Sequence, residues 1–319
     1  MTALLPGQAR RLDVTSLQLF VAVCECGNMA RAAQQAFLAP SAVSKRLADL
    51  EAHLGTALLQ RHSRGVQPTA AGQSLLHHAR KLLFGLERLH SELAEYASGV
   101  RGHVRIHATI SAIVQFLPED LGAFARTHSQ IKIDLQEHLS PAVLQAVQEG
   151  AADVGICHLS AATPTSAASQ SLQSRPYRSD HLVLVVPQSH ALSARSALDF
   201  EEALSEDIVG LHAGSSISLA LQQAAARAGQ PLRQRIQVTS LDAMCRMIDQ
   251  GLGVGVLPHR AYQLLHGLGR LAAVPLNNAW AQRELRLVAR DFASLPPTAT
   301  LLVEHLSPLP TMNHSTLPH

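Results

Sequence analysis

Cysteine is scarce in this chain. Four thiols in 319 residues (Cys24, Cys26, Cys157 and Cys245) exclude the disulfide framework of a small secreted domain. No basic n-region followed by an apolar core precedes them, so they are expected to be reduced thiols of a cytoplasmic protein. Cys24 and Cys26 lie inside an apolar helical run, a poor setting for a metal pair, and no metal or cofactor site is expected. Long apolar runs are missing too: stretches such as Leu182–Pro187 are far too short to cross a bilayer, so no membrane partner is expected. Excess charge of one sign is also lacking. A net charge of +2 does not by itself announce nucleic-acid binding. The eighteen histidines are scattered; His77 and His78, neighbours on a helix, point in different directions and read as solvated.

What is present is a globular composition, 47% hydrophobic and 16% charged, long enough for two or three domains. Charge is unevenly placed. Residues 28–81 carry seven basic side chains against two acidic ones, whereas residues 99–319 carry sixteen against seventeen. A basic N-terminal segment joined to a neutral remainder suggests a phosphate-binding module attached to a body that does not bind nucleic acid.

Within the basic segment, apolar residues at Leu17, Phe20, Val21 and Cys24 have helical spacing, with Thr15 or Ser16 as cap and Gly27 as stop. Asn28 caps a second helix, Met29–Ala36, whose Ala32-Ala33 pair permits close helix approach. After a break at Phe37-Leu38-Ala39, Pro40 opens a third helix, where its missing N–H costs nothing. Val43, Leu47, Leu50 and Leu54 form one inward stripe, leaving Ser41, Ser44, Lys45 and Ala48 outward. Such a face suits a major groove, with hydroxyls and cations reaching phosphates and base edges. Three short helices alone are equally a plain bundle, but Leu58–Thr69 reads as a two-stranded wing around a basic turn, with Arg61 and Arg64 beside the third helix.

Taken together, Leu17-x-x-Phe20, Gly27-Asn28-Met29 with Ala32-Ala33, Ser41–Leu47, Leu50-Glu51 with Leu54-Gly55, and Arg61, Arg64 and Thr69–Gly72 resemble the winged helix-turn-helix of LysR-type transcriptional regulators. The resemblance implies a DNA-binding set of Asn28, Pro40, Ser41, Ser44, Lys45, Arg46, Arg61 and Arg64. The chain departs from the family in opening the recognition helix with Ala39-Pro40 where Ser-Gln is usual, and Pro68 replaces the usual Leu before Thr69. Base reading is therefore expected from Ser41, Ser44 and Lys45.

From Leu75 onward, Ala79, Leu82, Leu86, Leu89, Leu93 and Tyr96 follow at alternating spacings of 4 and 3, a heptad pattern. Thr69 can cap this helix and Gly99 end it. A two-helix seam is favoured over an amphipathic helix lying on the protein's own body, because the stripe is narrow, although Leu76 and Leu83 widen it. In the family this helix joins two copies, and the usual assembly is a homotetramer.

Beyond Gly99, strands and helices alternate: strand His103–His107, helix Ser111–His128, strand Ile131–Glu137, helix Ser140–Gly150 and strand Asp153–Cys157, implying a parallel sheet. Ala161–Ser171 reads as a loop or hinge. A second alternation runs through strand Leu182–Pro187, a helix near Phe200–Ala203, strand Asp207–Leu211, helix Ser216–Ala228, strand Arg235–Thr239, helix Leu241–Gln250 and strand Gly253–Leu257. A strand near Leu285–Arg290 and helix Thr298–His305 follow. The expected fold class is an α winged helix-turn-helix and linker helix joined to a bilobed α/β body of periplasmic-binding-protein type. The expected domains are residues 13–70 (DNA binding), 71–98 (linker) and 101–307 (effector binding), with residues 308–319 a disordered tail. The resemblance splits the body into lobe I (101–162 plus 271–307) and lobe II (175–268). In such a clamp a small-molecule effector sits where strands end and helices begin. The candidates there are Thr109, Ile110, Ser111, Ser140, Ser215, Ser216, Thr239 and Ser240. Hydroxyls and helix dipoles suit a small carboxylate, though each hydroxyl is equally an ordinary N-cap. No Arg or Lys stands directly in these loops.

Two short motifs mislead. Gly251-Leu252-Gly253-Val254-Gly255 follows a helix and opens a strand, the reverse of a dinucleotide loop. His212–Ser216 lacks the spacing of a nucleophile turn, so no catalytic residue is assigned and an enzyme is not expected. The expected function is a DNA-binding regulator acting as a homo-oligomer on promoter half-sites of double-stranded DNA. A small-molecule binding protein with assembly helices is the alternative, and charge reversal at Lys45 and Arg64 separates the two.

Overall fold

The computed structural model describes residues 12–62, 65–98, 102–159, 172–265, 267 and 269–307. The chain divides near Gly99 into two compact units.

In the first unit, α1 (Val14–Cys26), α2 (Met29–Gln35) and α3 (Pro40–Leu54) precede a hairpin of β1 (Leu59–His62) and β2 (Gly65–Pro68), and α4 (Ala70–Ser98) follows. The cap of α1 is Asp13, not Thr15 or Ser16, which lie inside the first turn: its carboxylate accepts from Ser16 N at 2.9 Å and from Ser16 Oγ at 2.6 Å. The buried face of α1 is Leu17, Leu19, Phe20 and Val23, with Val21 and Cys24 only half-buried. It is broader than the sequence spacing suggests because α2, α3 and α4 all pack on this helix. Val43, Leu47 and Leu50 of α3 complete the core, but Leu54, at the helix end, is 37% exposed.

The wing is antiparallel, with Leu59 opposite Pro68 and His62 opposite Gly65. It docks by its backbone. Val66 N donates to Gly27 O at 2.9 Å, and a Cβ on Gly65 would stand 2.3 Å from that same oxygen, so only glycine allows the approach. Thr69 caps α4, its Oγ1 accepting from Gly72 N at 3.0 Å and donating to Ala57 O at 2.8 Å. Along α4, Leu76 joins the core of this unit, whereas Leu82, Leu89 and Leu93 are 64%, 49% and 58% exposed.

The second unit contains two lobes. Lobe I holds β3 (His103–Ala108), α5 (Ile110–Gln115), α6 (Leu117–Thr127), β4 (Lys132–Glu137), α7 (Ser140–Glu149) and β5 (Val154–His158). β3 is parallel to both β4 and β5. The single helix expected over Ser111–His128 breaks at Phe116, because Pro118 has no N–H for the carbonyl of Val114.

Next come β6 (Gln173–Pro187), β7 (Ile208–Leu211), α8 (Ser216–Arg227), β8 (Gln234–Val238), α9 (Leu241–Asp249), β9 (Gly255–Pro258), α10 (His259–Leu265), β10 (Leu271–Pro275), β11 (Gln282–Ala289) and α11 (Pro297–Leu306). β6 serves both lobes. Its residues 173–181 pair with β11, which in turn pairs with β5, all antiparallel; its residues 182–187 pair with β9 and β10. β7 and β8 are parallel, and a bridge from Ile208 to Val254 joins β7 to the strand leading into β9.

The crossings between lobes therefore fall inside β6 and between Pro275 and Gln282. This corrects the expected limits of 175–268 for lobe II and 271–307 for lobe I. The first half of β6 is not legible as a strand in the sequence because Gln173–Asp180 is polar; its extended form comes from hydrogen bonds to β11. Each lobe has its own core. Val104, Ile106, Phe124, Ile156 and Leu302 fill lobe I, and Leu184, Phe200, Ile208, Leu221, Met244 and Val256 fill lobe II.

Candidate functional site

Two places gather the candidate residues. In the first unit, Asn28 Oδ1 accepts from Ala30 N and Arg31 N at 2.9 and 3.1 Å, so this oxygen is committed to starting α2. Ala39 offers α3 no side-chain cap, and Pro40 stands in its first turn. Pro40, Ser41, Lys45 and Arg46 are exposed, and Ser44 is half-buried. Arg46 lies 3.8 Å from Asp13 across an exposed gap, a contact too solvated to hold it from other anions. Glu51 accepts from Leu58 N and Leu59 N at 2.7 and 3.0 Å, tying the far end of α3 to the wing. Arg61 lies on β1, but its side chain, like all of Ser63 and Arg64, falls outside the described residues. The geometry presents hydroxyls and cations on one rigid helix with a β-ribbon fixed to it.

In the second unit, a cavity of about 250 Å³ opens between the lobes. Thr109, Ile110, Ser111 and Ser140 line it from lobe I, and Ser215 and Ser216 line it from lobe II. Six of the eight candidates thus converge. Thr239 is exposed and Ser240 lies at the start of α9, both outside the lining. The Ser240 hydroxyl holds the Asp242 carboxyl below its ordinary range. Glu137, His138 and His212 also line the cavity, and sequence reasoning does not single them out from other loop residues.

Its polar groups are incompletely satisfied. Among the described residues, Thr109 Oγ1, Ser140 Oγ and His212 Nδ1 are buried without hydrogen-bond partners, whereas Ser215 Oγ accepts from Ser218 N at 3.1 Å and caps α8. Behind Ser216 stands a cation that sequence reasoning missed. Arg283, on β11, donates to Ser216 Oγ at 3.2 Å and to both carboxylate oxygens of Asp180 on β6. Asp180 also accepts from Gln115 Nε2 at 3.0 Å. No local signal could have found this group, since Arg283 lies 67 residues from Ser216 in sequence and arrives only through the pairing of β11 with β6.

His158 neighbours this network. Its Nδ1–H donates to Glu284 O at 3.0 Å, and its Nε2 is 3.9 Å from Asp180. Burial, with Arg283 close by and opposed by Asp180, pushes its pKa down to about 4, so the ring is neutral and Asp180 pairs with Arg283. Burial likewise lowers His107 and raises the thiols of Cys24, Cys157 and Cys245, Cys157 to about 12. All four cysteines are free thiols. No helix of the described residues is long and apolar enough to cross a membrane.

Comparison with known proteins matches both parts of the chain. The family model described as bacterial regulatory helix-turn-helix protein, lysR family, matches residues 14–73, and that described as LysR substrate binding domain matches residues 97–309. The probable HTH-type transcriptional regulator LrrA of Synechococcus elongatus is 30% identical over 83% of each chain. The RuBisCO operon transcriptional regulator of Allochromatium vinosum is 26% identical over 90% of this chain and 93% of its own. Among solved structures, the LysR family regulator CbnR shares the fold with a TM-score of 0.65, at 20% identity over 92% of this chain and 98% of CbnR. Full-length CbnR complexed with target DNA gives a TM-score of 0.63 at 21% identity, covering 92% and 99%. With its reading helix, wing and two-lobed body matched along nearly the whole length, the chain belongs to the LysR family of transcriptional regulators.

Proposed function

We propose that residues 13–70 read promoter half-sites, that residues 71–98 join two copies, and that residues 101–307 bind a small organic acid that sets the regulatory state. The observation that carries the effector reading is the set of three unpartnered buried polar atoms, Thr109 Oγ1, Ser140 Oγ and His212 Nδ1, around one cavity. Each costs about 1–3 kcal/mol while unpaired, and a hydrogen-bonding ligand removes that cost. The N-termini of α7 and α8 aim partial positive charge at the same space, and Arg283, its charge balanced by Asp180, donates to Ser216 Oγ and so leaves that hydroxyl's own proton free to donate into the cavity. Exposed Glu137 contributes negative charge to the lining and disfavours a dianion. A monocarboxylate with further hydroxyl or ring atoms fits this balance.

Exposed Ser41, Lys45 and Arg46 and half-buried Ser44 on α3 support contacts to DNA, and the sequence resemblance adds Arg61 and Arg64; Pro40 supplies surface rather than a donor, and Asn28 fixes the helix start. Exposed Leu82, Leu89 and Leu93 support pairing of two α4 helices, and two such dimers give a homotetramer. A DNA-binding regulator with reduced thiols works in the cytoplasm. Ligand closure of the lobes shifts the population between two assemblies and with it the spacing of half-sites.

Thermal unfolding of the full chain with benzoate, salicylate and shikimate, each beside its amide, tests the effector class. A ligand at a hundred times its Kd stabilises the folded state by about 2.7 kcal/mol. The expected result is a raised Tm with at least one acid, none with its amide, and loss of the rise in Ser140→Ala. Equal shifts from acid and amide would remove the anionic assignment.

A further inference from the structure

The turn between α2 and α3 combines two unfavourable features in one residue. α2 ends with Leu38 N donating to Ala33 O at 2.9 Å and Phe37 N donating to Gln34 O at 3.2 Å. This paired closure puts the residue at position 37 in the left-handed region, a place that glycine or asparagine normally fills. Phe37 takes it with φ of 55°, the one non-glycine residue at positive φ among the described residues. Its ring gains no burial in return, being 94% exposed. A large apolar side chain that strains the backbone and stays in water does nothing for folding. Leu38 beside it is 41% exposed, and Ala39 and Pro40 are exposed as well. An apolar surface therefore runs from Phe37 into the first turn of α3, and no polar side chain interrupts it before Ser41.

In a helix-turn-helix, the N-terminal residues of the second helix meet base edges in the major groove. The apolar feature there is the C5-methyl of thymine, which apolar side chains read by contact. We propose that Phe37, with Ala39 and Pro40 beside it, reads thymine methyl groups in each half-site and is a specificity-determining residue of the DNA interface. Exposed Lys45 and Arg46 lie on the helix that Pro40 opens, so the element that carries the apolar turn into DNA also carries phosphate-binding charge. This inference rests on the DNA-reading assignment made above.

The test uses full-length protein and duplexes selected by it from a random-sequence library. The tightest duplex is resynthesised with deoxyuridine in place of thymidine, one position at a time, which removes a methyl group and nothing else. A methyl group removed from water contributes roughly fourfold in affinity. The wild-type chain is expected to lose about that factor at one or more thymines per half-site. Phe37→Asn, which suits the left-handed backbone and preserves the turn, is expected to bind thymidine and deoxyuridine duplexes equally. Discrimination that survives in Phe37→Asn, or that is absent from wild type, overturns the proposal. A loss of affinity that is uniform across all duplexes places the ring on sugar or phosphate and also overturns it. Unchanged methyl discrimination with an altered oligomeric mass assigns the ring to a protein contact and overturns it as well. If selection enriches no sequence, the DNA-reading assignment itself fails and carries this inference with it.

Discussion

Replacing His158 by Gln tests the buried network where the lobes cross. The imidazole is 5% exposed, and its pKa falls from 6.5 to about 4 on folding. The unfolded chain therefore takes up a proton at this site before the folded one does. Stability from the neutral ring is complete above pH 6.5, declines as pH falls through the interval down to 4, and levels off below it. The full interval corresponds to about 3 kcal/mol, of which about 2 kcal/mol is lost by pH 5. For a domain of this size that lowers Tm by about 4–8 °C. His107 and His259, also pushed down by burial, titrate in both proteins and cancel in the comparison. Fluorescence-monitored unfolding at pH 7.5 and pH 5 is expected to show wild type losing about 4–8 °C more than His158→Gln. Parallel losses in the two proteins would falsify the placement of a neutral, desolvated ring beside Arg283 and Asp180.

Other outcomes follow from particular contacts. Arg283→Gln leaves Asp180, whose side chain is 2% exposed, as an uncompensated buried charge and is expected to cost about 3–5 kcal/mol in chemical denaturation; an additional Asp180→Asn change should recover much of it. Gly72→Ala brings a Cβ to 2.0 Å from Leu58 O, so the wing must move. DNA affinity in gel shifts is expected to fall while acid-induced stabilisation of the second unit persists; retained affinity would contradict the docking. Changing Leu82, Leu89 and Leu93 together to Ser is expected to halve the sedimenting mass, and an unchanged mass would assign oligomer contacts elsewhere. Lys45→Glu is expected to weaken DNA binding at every sequence and to reduce the dependence of log affinity on log salt concentration by about one unit.

Much of this protein is legible in the residues themselves because short-range physics encodes it. Helical spacing in Val43, Leu47 and Leu50, the Asn28 and Thr69 caps, and the Gly27 helix stop each follow from interactions a few residues apart. The alternating strands and helices of the body are read the same way, and Thr109, Ser111, Ser140, Ser215 and Ser216 stand out because helix starts are local features. What the sequence withholds depends on partners far along the chain. Gln173–Asp180 is polar and becomes a strand only by pairing with β11, which moves the crossings between lobes. That pairing carries Arg283 to Ser216 and Asp180, giving a clamp without basic loop residues a cation one hydroxyl away. Thr239 and Ser240 look like the other hydroxyls but start a helix outside the cavity. The strain at Phe37 is likewise invisible in the sequence, since a φ of 55° follows from how α2 must end before α3 begins. By itself the sequence determined the N-terminal helices and wing, the alternation of strands and helices in the body, and the family. Tertiary structure decided which of their ends face one another, because strand pairing brings together residues that no local pattern links.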